Sequence, residues 1–348
     1  MGSNWKKDLD DSLQKASNLF MTGDLHTRFA FSSEKEDSDA EVKNALKKKK
    51  LYVMALVLWL VFVKVISIVV TMIMNMLQVP YYGTTQMKVR YIIIFLDSIG
   101  FLVIVSKWKK QGKEAKSVYD EKIVSKAVQE VLPGAEFEPD GSMDADRLWV
   151  LGVVPEFNRA SGSYLINYKK DGKLFGFSNL ALFEREKDNH DEYYYKQVFA
   201  GQAFVLHYKS RMQGCVRIMT TGTLMGREYL AGFRKLDKSK EEKIETENQV
   251  FNGQFDVYAT NAHSAFYVLT PLVMERLLAM KKKYGIFGVA VSGTEIAIAL
   301  STGYFLFEAP RSYQKIENIS IENSKNQIRQ MLSFAQLIED SINGRVIK

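Results

Sequence analysis

Hydrophobic positions follow three different patterns along the chain. Over 51–77 and again over 91–108 they are nearly continuous. A bilayer core about 30 Å thick needs roughly 20 helical residues to cross, so these runs predict two transmembrane helices. The polar connection 78–90 makes them a hairpin. Ahead of it, Trp5, Leu9, Leu13, Ala16 and Phe20 recur at helical spacing among charged residues, which predicts a short amphipathic helix. The charged stretch 32–40 lacks apolar periodicity and reads as a linker.

Beyond the hairpin, a helical pattern at 118–131 ends before Pro133 and Gly134, and an acidic loop runs to about residue 146. The third pattern follows: short runs rich in aromatic and β-branched residues. They predict strands over 163–168, 174–183, 197–208, 215–220, 249–259, 265–269, 288–291, 295–300 and 304–307. Asp171-Gly172 fits a tight hairpin turn between two of them. Thr270 followed by Pro271 signals a helix start, and a last helix begins near Glu322. The fold class is therefore α+β: a two-helix transmembrane hairpin, then a mainly antiparallel β-sheet module with flanking helices. The divisions are a leader 1–50, the hairpin 51–108, a connecting helix and loop 109–146, and the module 147–348. Val198-Phe199-Ala200-Gly201-Gln202 is echoed by Val250-Phe251-Asn252-Gly253-Gln254, either as two related β units or by chance.

Charge changes the picture in one respect. The net +7 comes entirely from residues 1–116, with 18 basic against 11 acidic; the remainder carries 29 of each. A neutral module argues against phosphate-driven nucleic-acid binding. Lys47 to Lys50 precede the first span, and Lys107, Lys109, Lys110, Lys113 and Lys116 follow the second. By the positive-inside rule both termini and the module lie in the cytoplasm. One cysteine, Cys215, gives no intrachain disulfide framework.

The spans contain two ionisable residues, Lys64 and Asp97. Lys64 lies about 21 Å from Lys50 along a helix, and Asp97 about 15 Å from Lys107. Charges at such depth face a partner or water. Either the two form an intramembrane pair, within one hairpin or between subunits, or Lys64 snorkels and Asp97 sits protonated or at the interface.

Chemistry is otherwise sparse. The stretch from Gly222 to Gly226 lacks the spacing and lysine of a phosphate loop, and no zinc-ligand spacing occurs. The four histidines, His26, His190, His207 and His263, stand apart in sequence. No catalytic, cofactor-binding or metal residues are assigned. Tyr193, Tyr194 and Tyr195 read as a strand edge or as an adhesive aromatic surface.

The densest recognisable stretch runs from Glu245 to Pro310, through Val250-Phe251-Asn252-Gly253-Gln254-Phe255-Asp256-Val257 and Val268-Leu269-Thr270-Pro271, with Phe199-Ala200-Gly201 upstream and Phe307-Glu308 at its close. This resembles the bacterial domain-of-unknown-function family three-one-three-seven, whose members have two N-terminal membrane segments and this module. The resemblance implies no catalytic residues, and it implies a LemA-like membrane protein as a partner. From the residues themselves, Phe251, Gly253, Phe255, Val257, Thr270 and Pro271 read as a fold-specifying motif. The expected function is that of a membrane-anchored, non-enzymatic protein whose module binds another protein or itself. The alternatives are a tethered sensor or binder of a small ligand or lipid, and a hydrolase with an unrecognised site.

Overall fold

The computed structural model describes residues 25–77, 84–189, 191–208, 212–221, 223–224, 227–228, 241–309 and 321–343. The amphipathic pattern from Trp5 to Phe20 lies outside them. Two compact units emerge, one containing the hairpin up to Ile123, the other containing Val124–Glu308 and the C-terminal helix.

In the first unit, α1 (Leu25–Met76) and α2 (Thr84–Tyr119) pack as a hairpin. Their most apolar stretches have mean hydropathies of 2.8 and 2.1 and contain no fully buried residue. Long, exposed and greasy, these are membrane-spanning helices. Leu51, Leu58, Phe62, Ile68, Met72, Phe95 and Leu102 all present their side chains outward. The linker expected over 32–40 is helical instead and belongs to α1. After α2 the backbone makes one π-helical turn, Asp120–Val124.

The second unit begins with α3 (Ser125–Val131), β1 (Glu136–Glu138) and α4 (Ala145–Leu151). The Asp144 carboxylate caps α4 by accepting from the backbone N–H groups of Asp146 and Arg147. Then come β2 (Arg159–Lys170), β3 (Lys173–Lys187), β4 (Tyr193–His207), β5 (Cys215–Thr220) and a separate two-stranded ribbon of β6 (Thr223–Leu224) and β7 (Arg227–Glu228). The chain continues through β8 (Glu242–Ile244), α5 (Gln249–Asn252), β9 (Phe255–Ala259), α6 (Ala262–Val268) and α7 (Pro271–Tyr284). It closes with β10 (Ile286–Ser292), β11 (Glu295–Ser301) and α8 (Ile321–Ile342).

Nine strands form one antiparallel sheet in the order β1-β2-β3-β4-β11-β10-β5-β9-β8. Alternation splits each central strand between two covered faces. On one face Leu180, Leu182, Ala203, Val205, Ala297 and Ala299 pack with Ala145 and Leu148 of α4 and with Val153 and Val154. On the other lie Phe177, Phe204 and Ile298, with the Phe177 and Phe204 rings 4.9 Å apart. α8 covers this second face, burying Ile328, Met331, Phe334 and Ile338, and it also touches α3, α6 and α7. With both faces covered, the central strands read as continuous apolar runs such as Ile296–Leu300, where every residue is buried.

Three strand expectations are corrected. Residues 249–252 form the short helix α5, capped by the Asn248 side chain, which accepts from the backbone N–H of Phe251. The apolar run 265–269 belongs to α6, capped in the same way by Asn261. Residues 304–307 pair with no strand. In addition, the echoed pentapeptide does not repeat a structure: 198–202 is strand and 250–254 is helix and turn.

Candidate functional site

The strongest candidate site is a cleft between α7 and α8, about 650 Å³ in volume. Each wall follows from local sequence. On α7, Val273, Leu277 and Met280 face inward, while Leu272, Arg276, Ala279 and Lys283 recur at 3–4 residue spacing along the cleft edge. On α8, Ile328, Met331, Phe334 and Ile338 pack on the sheet, and Arg329, Ser333, Leu337 and Asp340 line the opening. The cleft thus has an apolar floor containing Met280, Met331 and Phe334 and three cations at its margin.

Those cations differ in their commitments. Arg329 Nη1 donates to Glu322 Oε1 at 2.9 Å and to Asn326 Oδ1 at 2.8 Å. The Lys283 ammonium donates to Gln330 Oε1 at 2.7 Å, and the Tyr284 hydroxyl donates to the same oxygen at 2.5 Å. Arg276 makes no ion pair among the described residues and is exposed. Among the described residues Asp340 is the single acid lining the cleft, and its carboxylate accepts from Gln336.

Beneath α8 a buried polar network holds the chain that follows β11. Gln202 Nε2 donates to the Tyr304 carbonyl at 2.5 Å, while its Oε1 accepts from the Thr302 hydroxyl and from Gln327 Nε2. Asn179 imitates a strand partner: Nδ2 donates to the Leu306 carbonyl at 2.8 Å, and Oδ1 accepts from the Leu306 N–H at 3.0 Å. These amides replace the ladder that 304–307 lacks. Gly201 has a packing reason as well, because a Cβ there would lie 1.8 Å from the Leu300 carbonyl oxygen.

The six motif residues occupy α5, β9 and the start of α7. Phe251 and Phe255 are buried with rings stacked 4.7 Å apart, and Val257 sits between Ile218 and Ile244 in the sheet. Gly253 closes α5 at an ordinary φ of −73°. Thr270 Oγ1 accepts from the Val273 N–H, and Pro271 opens α7. None of the six lines the cleft.

In the hairpin, Asp97 Oδ1 accepts from the Trp59 indole N–H at 2.9 Å. Lys64 is exposed on the outer surface of α1, and no ion pair joins it to Asp97 within the chain. Trp59 carried no functional signal in the sequence; its position opposite Asp97 emerges only when the helices are aligned.

His207 Nδ1 lies 3.3 Å from Glu295 Oε1, and Arg147 pairs with the same carboxylate. Burial lowers the imidazole below its ordinary range, partly offset by Glu295 and reinforced by Arg147. No group of three or more metal-ligating side chains is present among the described residues. Cys215 is half-buried on β5.

Residues 197–341 match the family described as a protein of unknown function, DUF3137. The resemblance carried by 245–310 therefore holds over β4 to α8, and the two membrane helices ahead of it fit the expected arrangement. No curated protein matches the chain. A solved structure, the mycobacterial trehalose monomycolate transport factor A, TtfA, is similar at 10% identity, covering 59% of this chain and 92% of that one. Its TM-score is 0.33, too low to carry an argument about fold or function.

Proposed function

We propose that the protein is a membrane-anchored, non-enzymatic binder of an anionic amphiphile held in the α7–α8 cleft. The composition of that cleft is the observation that carries the reading. Its volume of about 650 Å³ falls within the usual range for ligand clefts, roughly 300–1,000 Å³. Met280, Met331 and Phe334 offer an apolar floor to a hydrocarbon tail, and Met adapts to irregular shapes. Arg276, Lys283 and Arg329 outnumber Asp340, so a carboxylate or phosphate head gains charge-assisted hydrogen bonds at the margin. Two spans keep the chain at a bilayer, where such molecules reside. The lysine flanks support a cytoplasmic placement of both termini and the module in a bacterial inner membrane.

The test uses the full chain in neutral detergent, with oleate and oleyl alcohol as paired probes. Oleate is expected to raise the unfolding midpoint of the module and oleyl alcohol to do so much less. Arg276→Glu and the cleft-filling Ala279→Trp are each expected to remove the oleate shift. Equal shifts with both probes, or an oleate shift that survives both substitutions, would defeat the proposal.

A second reading, docking of a LemA-like membrane protein or another copy of the chain, draws on a different observation. β3 and β4 continue past their neighbours as an arm ending near Tyr193, Tyr194 and Tyr195, all about half exposed. Arg185 stacks 3.7 Å from the Tyr193 ring centre, which stiffens an aromatic surface of the kind found at protein contacts.

A further inference from the structure

The hairpin contains one contact that is made and one charge that is not matched. Trp59 lies against Gly100 so closely that a Cβ on that glycine would be 2.2 Å from the Trp59 ring. Its indole N–H is donated to Asp97 Oδ1, which leaves Asp97 Oδ2 without a hydrogen-bond partner among the described residues. The half-buried positions of α1 (Tyr52, Leu56, Trp59, Val63, Ile66, Val70) are spaced 3–4 residues apart, and they mark the seam that faces α2. Lys64 is five residues beyond Trp59, a rotation of about 140° from it. It therefore stands on the outer surface of the hairpin and cannot reach Asp97 of its own chain.

Depth brings the two residues together again. Taking Trp59 and Gly100 as one layer, Lys64 lies about 7.5 Å and Asp97 about 4.5 Å from it toward the connecting loop, a difference of about 3 Å. Side chains on a helix tilt toward its N-terminus. α1 and α2 run in opposite directions, so Lys64 leans toward the Asp97 level and Asp97 leans toward that of Lys64. Ile68, one turn further on, is also exposed, so the surface around Lys64 is apolar and open.

We propose that the protein self-associates within the bilayer through reciprocal ion pairs between Lys64 of one protomer and Asp97 of the partner subunit. Copies inserted in the same orientation keep every residue at one depth. A two-fold axis along the membrane normal then presents each lysine to the opposite carboxylate, with Asp97 still held by Trp59. An unmatched ammonium in hydrocarbon is costly, and pairing in trans removes that cost at both ends of the interface.

The experiment uses full-length chains carrying two different affinity tags, co-expressed and recovered from membranes in mild detergent. Wild-type copies are expected to co-purify. Lys64→Asp copies alone and Asp97→Lys copies alone are expected to lose most of that association, since each places like charges opposite one another. Mixing the two restores both ion pairs in trans and is expected to recover co-purification to near the wild-type level. A mixture no better than either variant alone would overturn the proposal. As a check independent of those variants, Ile68→Cys in an otherwise wild-type chain with Cys215→Ser is expected to crosslink to a dimer in native membranes. Absence of that dimer, with monomer fully recovered, would overturn it as well.

Discussion

Trp59 and Asp97 meet 2.9 Å apart across the hairpin, and the meeting needs Gly100 to let the indole ring in. Interhelical hydrogen bonds in membranes contribute modestly, about 0.6 kcal/mol on average and up to roughly 2. Trp59→Phe keeps the ring but removes the donor, so the hairpin is expected to weaken by about that amount. Gly100→Leu forces the ring out of the seam and is expected to cost more. Unfolding in mixed micelles checks the ranking; a Gly100→Leu chain as stable as wild type would contradict the close approach.

The Gln202 and Gln327 side chains share a bond under α8, and both are buried. Gln202→Leu strands the buried Gln327 amide, at a cost of about 1–3 kcal/mol, and removes the bonds to the Tyr304 carbonyl and the Thr302 hydroxyl, which keep only their bond to each other. Strong destabilisation is therefore expected for Gln202→Leu. Adding Gln327→Leu is expected to cost less than the sum of the two single changes, because their shared bond is lost only once. Denaturant midpoints of the four chains in the cycle measure this, and additive losses would argue against the bond.

The strands with strong alternation or long buried runs were legible in the sequence because their hydrophobic pattern is local. β2, β3, β4, β5, β10 and β11 all overlap the expected segments. The sequences of α5 and α6 suggest strands because short aromatic and branched runs look alike in either state. What marks them as helices is Asn248 and Asn261, whose side chains cap them. Residues 304–307 looked like a strand, yet they are held by Asn179 and Gln202, more than 100 positions earlier. The cleft was illegible for the same reason: Arg276 and Arg329 come together only when α7 and α8 pack.

Thr270 tests a feature that the sequence did disclose. Its hydroxyl accepts from the Val273 N–H at 3.4 Å, and Pro271 occupies the first turn. Loss of an N-cap side chain costs about 1 kcal/mol. Thr270→Ala is expected to lower module stability by roughly that amount, and Thr270→Ser to retain most of it. Because α7 forms one wall of the cleft, oleate affinity should fall in Thr270→Ala only if the helix start frays far enough to move Leu272. Thermal unfolding with and without oleate separates the two effects.

His207 gives a pH dependence with a definite sign. Burial disfavours its imidazolium, Glu295 partly offsets that, and Arg147 adds to it, leaving the folded-state value below the ordinary one. The unfolded chain then binds the proton more readily than the folded one, so stability rises with pH across the interval between the two values. The contribution is fully present above about pH 6.5, and it is lost as pH falls through the lower folded-state value. His207→Gln removes the titration while keeping a polar side chain beside Glu295. Between pH 7.5 and 5.5 the wild-type unfolding temperature is expected to fall more steeply than that of His207→Gln. Parallel curves would mean that Glu295 offsets burial completely and that the imidazole does not sense folding.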